Sequence, residues 1–467
     1  MGTLTALLNL SQNALGASQA AIDITSNNVA NANTPGYTDE VATWQESDTV
    51  LLSGTVGGSQ GATVSAVSQR DPVLNQRVQQ QTQGASSSST ESAALSDLQS
   101  IFGITSTSTS PVSTTIGTDM NAFFSSLSAL QASPSDTSVR QGVLSAAQTL
   151  ASDFNSASNQ IAQQTSALNQ QVSGVVSQVN TLTTSIAALN LQIESISPNA
   201  DAGTLEDQRQ QDLTQLSGLV GFDQTKTENN GLTLTSANGA LLVSEGQSSP
   251  LRTAIVNGNT DVIEGSGQNI TSELTGGSLG GILQARDRDL PTVSSALDSL
   301  AYAIGSAVNT QNEAGLDANG NTGAAIFNLP ATPASAASTI SLATSDPSEL
   351  AAAAIGEGSS GSSNATALGG IANSVLLNGQ TAPEFYASLL SELGSTVSQV
   401  SDENTTQQAS LTQLTTQQGS QSSVSLDQEA ANLTLYERSY DAAAKVFTIV
   451  DELMASALNL GEETTVT

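Results

Sequence analysis

Hydrophobic positions divide the chain into two ends with an unbroken helical period and a middle that changes period. Near the N-terminus, Leu4, Leu8, Ser11, Leu15, Ser18, Ile22, Thr25 and Val29 follow alternating steps of four and three. Leu7, Leu10, Ala14, Ala17, Ala21 and Ile24 form a second seam beside them. This spacing predicts a helix with a wide apolar face, rich in small residues, that needs a partner to cover it. At the other end Leu426, Glu429, Leu433, Tyr436, Tyr440, Ala443, Phe447, Val450, Met454 and Ala457 keep a heptad spacing, flanked by Leu435, Ala442, Val446, Ile449, Leu453 and Leu460. That pattern predicts a coiled-coil-like helix about 45 Å long. Ser423 or Ser425 can cap its start, and Asp427 and Glu429 suit a positive helix N-terminus. The two ends are therefore expected to pack on each other.

The middle is mixed. Val50–Arg70 reads as extended, Asp71–Gln83 as a helix with Pro72 in its first turn, and Ala93–Phe102 and Asp119–Gln131 as short helices around a Ser/Thr run at 106–115. Val139–Ile196 keeps helical spacing to a stop at Ser197-Pro198-Asn199, and Leu205–Leu219 follows as the return arm of a helical hairpin. From Gly221 to Gly281 the period drops to two around Asn238-Gly239, a hairpin signal. Helix resumes after the glycines at 276–281, gives way to Gly/Ala/Ser-rich loops over 314–379 with a strand-like piece at 339–342, and returns at Phe385–Leu414. The expected fold class is mainly α with a β-rich insert. The expected organisation is nested: an inner coiled-coil domain from residues 1–50 and 420–467, a helical domain from 51–220 with 282–315 and 380–419, and an outer β-rich domain from 221–281 with 316–379.

Composition narrows the function classes. Aromatic residues are only 3% of the 467, so Leu/Ile/Val/Ala seams between helices must supply the core. Lys and Arg number 10 against 42 Asp and Glu, a net charge of −32. Such a surface repels phosphate backbones and anionic lipids, so neither nucleic acid nor membrane is an expected partner. The chain has no Cys and no His, which removes disulfides, Cys/His zinc sites and every nucleophile–histidine dyad. No basic stretch opens the sequence, the first basic residue being Arg70, so no cleaved secretory signal is expected.

Candidate chemistry is sparse. Arg286, Asp287, Arg288 and Asp289 alternate in sign in the manner of an acid–base pair, but such a run at a helix start is expected to be a solvated or bridged surface. Asp317–Gly323 hints at a calcium loop, yet Thr322 and Asn328 stand where the EF-hand pattern wants Gly and Glu. The glycines of "GGSLGG" lack a following P-loop Lys and are expected to permit tight turns. No catalytic residue, metal or cofactor is expected, and Trp44 is expected to pack on the inner helical domain.

Longer stretches carry a resemblance. "SNNVANANTPGYT" (26–38) resembles the N-terminal motif of bacterial flagellar axial proteins of the rod, hook and hook-associated group, and "VSLDQEAANLTLYERSYDAAAKVFTIVDELMASALNL" resembles their C-terminal motif. "LEDQRQQDLTQLSGLVGF" (205–222) and "GGSLGGILQARDRDLP" (276–291), continued by "NEAGLDANGNTGAAIF", are similar to the hook-associated protein 1 family. Those blocks separate this family from the hook subunit and the second junction protein, and an adhesin with an exposed Ser/Thr-rich insert stands as a further alternative. Where this family is expected to carry a His, the chain has Gln311-Asn312-Glu313. The resemblance implies a secreted, non-enzymatic structural subunit of the flagellum. It would join hook to filament by helical polymerisation, with itself, the hook subunit, the second junction protein and an export chaperone as partners, and would be exported without a cleaved signal.

Within that implied assembly the terminal motif acquires a role. Asn tolerates left-handed backbone and competes for its own main chain, so the helix is expected to break between Ser26 and Asn33. Thr34-Pro35-Gly36-Tyr37 fits a type II turn. The uncharged amides of Asn27, Asn28, Asn31 and Asn33, with Pro35, Gly36 and Tyr37, are expected to meet neighbouring subunits, where a buried charge would be costly. Leu4, Leu8, Leu15, Ile22 and Val29 are expected to pack with Leu433, Tyr440, Phe447 and Val450. Leu426, Tyr436 and Met454 complete the expected interface. About 40 residues at each end are expected to be mobile in the free monomer and to order on assembly.

Overall fold

The periodic segments become helices whose lengths follow the seams. In the computed structural model, which describes residues 2–46, 49–52, 55–59, 61–103, 115–197, 201–237, 239–358 and 360–462, they are α1 (Gly2–Asn31), α2 (Pro72–Ile101), α3 (Thr115–Ala132), α4 (Thr137–Ile196), α5 (Gly203–Leu219), α6 (Gly277–Gln284), α7 (Leu290–Glu313), α8 (Ala336–Thr339), α9 (Ser363–Gly370), α10 (Ala382–Ser422) and α11 (Leu426–Glu462). Positions 106–114 of the Ser/Thr run, Pro198 and Asn199 of the expected stop, and Asn238 lie outside the described residues. The chain is mainly α with small antiparallel sheets, as its patterning indicated.

Two helices differ from their sequence pattern. α2 is one helix of 30 residues where two were expected. Its "GASSSST" stretch is a packing face and not a linker: Ala85 and Ser88 are buried, and a Cβ on Gly281 of α6 would lie 2.3 Å from the Ser87 carbonyl. Close approach of two backbones demands small residues, and an apolar/polar count does not register them. α10 runs 41 residues, well beyond 385–414, from a capping box in which the Thr381 N–H donates to Glu384 Oε2 at 2.9 Å. Its polar end lies along α2 through amide contacts such as Gln418 Nε2 to Asn75 Oδ1 at 2.6 Å.

The strands form small sheets. β1 (Glu40–Glu46) pairs with β4 (Ala62–Ser68), and β2 (Thr49–Leu52) pairs with β3 (Thr55–Ser59). The period-two segment forms a four-stranded antiparallel meander, β5 (Phe222–Lys226), β6 (Leu232–Ser236), β7 (Leu241–Ser244) and β8 (Gln247–Ser248), beside a hairpin of β9 (Arg252–Val256) and β10 (Asn259–Ile263). Leu234 opposite Val243 puts two fully buried residues on the face toward the helices. The β segment rejoins the helices through Gly276 and Gly277, at φ of 70° and 61°. A Cβ on Gly277 would sit 2.2 Å from the Val220 nitrogen.

One hydrophobic core runs through α2, α3, α4, the meander, α7 and α10, with Phe123, Phe154 and Phe327 among its fully buried side chains. Among the described residues, none of α1 or α11 belongs to it. Those two helices pack along each other and, with the β1–β4 pair against α1, form a separate layer.

Candidate assembly interface

The terminal layer is held together by small residues. Ala17, Ala21 and Ile24 of α1 are buried with Ser11, Ser18 and Thr25, so the covered face takes residues from both expected seams. On α11 only Glu429 and Val450 are buried among the described residues. Leu4, Leu8, Leu15 and Ile22 are half-buried, as are Leu433, Tyr436, Phe447 and Met454. Val29, Tyr440 and Leu426 are exposed. Trp44 of β1 lies against Tyr436, ring centroids 6.2 Å apart, which places it on the terminal helices as expected.

The seam flanking the heptad on α11 stays open. Leu435, Val446, Ile449 and Leu453 are each about half exposed or more, at 49–58%. Their spacing of eleven, three and four residues sets them on one side of the helix. Leu7 and Leu10 of α1 are exposed as well. A contiguous apolar stripe of this kind marks a surface made to be covered.

The Asn-rich motif ends α1 inside the expected interval. The helix continues past Ser26 to Asn31, and the chain then turns at Thr34–Tyr37, where the Tyr37 N–H donates to the Thr34 carbonyl at 3.2 Å with Gly36 at φ 82°. That is the type II turn the sequence indicated. Asn28, fully buried, uses all its bonding capacity within its own chain. Its Nδ2 donates to Asp39 Oδ1 and to the Glu40 carbonyl, both at 2.8 Å. Its Oδ1 accepts from Tyr37 Oη at 2.8 Å and from the Glu40 N–H at 3.1 Å. No donor or acceptor of its amide is left for a neighbour. Asn27, Asn33, Pro35 and Gly36 are exposed, while Asn31 and Tyr37 are half-buried.

The segment after the turn is fastened to the helical body. Asp207 of α5 accepts from the Thr38 N–H at 3.0 Å, from Thr38 Oγ1 at 2.8 Å and from Arg70 Nε at 3.0 Å. Arg70 also pairs with Glu206 and donates to the Gly203 carbonyl. The Asp39 N–H donates to Ser422 at the end of α10, 2.9 Å away. The block at 205–222 and the terminal motif, far apart in sequence, thus share one buried joint. Burial and the neighbouring Glu429 raise the Asp39 carboxyl; burial and Asp201 raise Glu40; burial, with Glu40 next, raises the Tyr37 hydroxyl. Burial beside other acids thus disfavours the charged forms of Asp39, Glu40 and Tyr37.

The alternating charges at 286–289 are bridged, as expected, but only half of them face solvent. They sit on a π turn, Ala285–Asp289, between α6 and α7, with Asp287 and Arg288 exposed and Arg286 and Asp289 buried. Arg286 is 1% exposed; its guanidinium donates to Asp287 at 2.7 Å and 2.8 Å and to Asn169 of α4 at 3.0 Å, and it also reaches the Thr260 carbonyl of β10. It pins the β9–β10 hairpin to the long helix, a role that sign alternation alone did not reveal. Asn312, in the segment where a His was expected, is fully buried; it donates to the Ala324 and Glu349 carbonyls and accepts from the Ala351 N–H. Asp317 accepts from the backbone of Asn319 and Asn321, which makes that loop a self-bonded polar turn. Among the described residues no group of three acidic side chains is placed to hold a metal ion, and no helix is long and apolar enough to cross a membrane.

Comparisons with known proteins agree with one another. Residues 95–327 match the family model of the flagellar hook-associated protein FlgK helical domain, 8–38 that of the flagella basal body rod protein, and 417–460 that of the flagellar basal body rod FlgEFG protein C-terminal region. Flagellar hook-associated protein 1 of Escherichia coli is 30% identical over 342 residues, an alignment spanning 69% of this chain and 60% of that protein. The proteins of the same name from Salmonella typhimurium and Bacillus subtilis are each 26% identical; the alignments cover 98% and 97% of this chain and 100% and 97% of the relatives. The structure of the flagellar hook junction protein FlgK from Burkholderia pseudomallei shares the fold, with a TM-score of 0.67 at 22% identity, over 75% of this chain and all of that one.

Proposed function

We infer function from one premise: the chain belongs to the flagellar hook-associated protein 1 family. It is a structural subunit of the bacterial flagellum, placed at the junction between hook and filament and assembled by helical packing of its terminal helices. The observation that carries the assembly reading is the open apolar seam on α11, beside a terminal pair none of whose described residues joins the main core. Burying such a seam against copies of itself stabilises the assembled state by about 1.5–3 kcal/mol for each large side chain covered. The same surface leaves the free monomer's ends weakly held, and we place the mobile ends and the handle for an export chaperone there. The exposed part of the motif, Asn27, Asn33, Pro35 and Gly36, faces neighbouring subunits, while Asn28 builds the turn that presents it. The nested division into inner, helical and outer β-rich domains follows the same reading: the inner pair polymerises and the body sets the outer surface. The hook subunit and the second junction protein are the partners at the two ends of the zone. The protein leaves the cell by the flagellar export route, without a cleaved signal, and performs no catalysis.

Electron microscopy of cells lacking this protein tests the role. Hooks that carry no filament, with filament subunits lost to the medium, are the expected result. Filaments of normal length on those cells would end this reading.

A further inference from the structure

Two helix joints in the body set one carboxyl group against another, the second beside a single exposed arginine. At the first, Asp153 of α4 hydrogen-bonds Asp119 of α3, and Asp153 Oδ2 is buried with no conventional donor. The segment packed beside it on α4, residues 336–342, carries no charge and presents the Ala337 and Ile340 carbonyls to Asn155. At the second, Glu91 of α2 hydrogen-bonds Asp289 of the π turn, and Asp289 Oδ2 is likewise buried without a conventional donor. Arg288 reaches both carboxyls from outside, at 3.2 Å and 3.0 Å, but is itself mostly exposed. Glu403 of α10 faces Glu91, and Asp287 and Asp261 line the same cleft. Buried Arg286 pairs with Asp287 and Asp261, which leaves Glu91, Asp289 and Glu403 to share one solvated cation, Arg288.

An ionised carboxylate is only an acceptor, so two of them in hydrogen-bond contact cannot both be satisfied; one proton between them supplies the missing donor. We propose that Asp119–Asp153 and Glu91–Asp289 are proton-sharing latches, each closing a helix joint of the body while it holds its proton and loosening it when the proton leaves. Burial and then Asp289 push Glu91 up to about 7; burial and then the bond to Asp119 push Asp153 to about 7. The unfolded chain releases these protons near pH 4. Between about pH 4 and pH 7 the folded chain thus holds protons that the unfolded chain has lost, and stability falls as pH rises through that window. Above it the contribution is gone. The latches thus make the body tighter in mild acid than in alkali, independently of the terminal seam.

Thermal unfolding of the full chain by circular dichroism at pH 5.5 and pH 8, with and without E91Q and D153N, tests this. Gln and Asn imitate the protonated carboxyl. The wild type should melt lower at pH 8 by a shift on the order of a few degrees. The double variant should lose most of that difference by gaining stability at pH 8. The variant also subtracts the general self-repulsion of an acidic chain, which it retains. A wild-type difference that the variant keeps in full would overturn the proposal, as would a variant less stable than wild type at pH 8. Magnesium or calcium restoring the wild type at pH 8 but not the variant would assign the bridging to a cation and overturn it equally. Infrared spectroscopy of the folded wild type at pH 6 needs no variant: a protonated-carboxyl band is expected, and its absence would remove the latches.

Discussion

The helical body and the terminal pair are built from similar helices and bury them differently. In the body, α3, α4 and α7 turn Phe123, Phe154, Leu297 and Leu300 completely inward, and strands β5–β7 cover the remaining face. In the terminal pair, α1 and α11 meet over Ala, Ser and Thr, and large apolar groups such as Leu435 and Ile449 remain outside. The body is a finished core. The terminal layer is half of one, and its missing half is proposed to come from other copies. On the proposed assembly, the chain divides its apolar surface between folding and packing against other copies: volume goes to the body, and exposed length to the terminal pair.

The sharpest way to break that division is to damage the body. Phe154→Ala removes a fully buried ring from the core shared by α3 and α4, at a cost of roughly 3–5 kcal/mol. Because α1 and α11 do not share that core, the loss is expected in the main unfolding transition of the monomer alone, read by calorimetry. Terminal helices that melt within that same transition, and fall with it, would mean that the two regions unfold as one unit.

The converse variant acts on the terminal layer. Ile449 is 57% exposed on α11. Ile449→Ser is expected to leave monomer stability within about 0.5 kcal/mol. It should weaken polymerisation by about 1.5–3 kcal/mol per subunit, the value of covering that side chain. Sedimentation of the polymer against monomer concentration reads this. Unchanged sedimentation would take the open seam out of the interface.

How much of this was legible in the residues follows from what each pattern records. The helices α11 and α4 came through because large apolar side chains recur at helical spacing, a stripe that is buried on α4 and only partly covered on α11. The continuity of α2 across Ser86–Thr90 and the polar end of α10 did not, because small residues and amides pack backbones closely without an apolar signature. The type II turn was readable from Pro35-Gly36, since only backbone conformation was at issue. The bonding of Asn28 was not: it depends on Tyr37, Asp39 and Glu40 arriving around it, which only the folded chain decides. Arg286 was hidden for the same reason. A basic residue among acids looks solvated until Asn169 and Thr260, far away in sequence, close over it.

Asn28 sharpens the comparison where the two regions join. Asn28→Ala leaves the Tyr37 hydroxyl, the Asp39 carboxylate and both main-chain groups of Glu40 without their shared partner. These lie in a half-buried loop where water can replace part of the loss, so the expected cost is about 1–2 kcal/mol. It should fall on the terminal layer: faster proteolysis at the 32–40 segment, with the main unfolding transition unmoved. Asn27→Ala, at an exposed position of the same helix end, should leave the monomer unchanged and reduce assembly if that amide meets a neighbour. The two variants thus separate a residue that shapes the turn from one that the turn presents. If Asn28→Ala left proteolysis at wild-type rates while assembly failed, the buried amide would have to open toward a neighbour during polymerisation, and the boundary between folding surface and assembly surface would move one helical position inward.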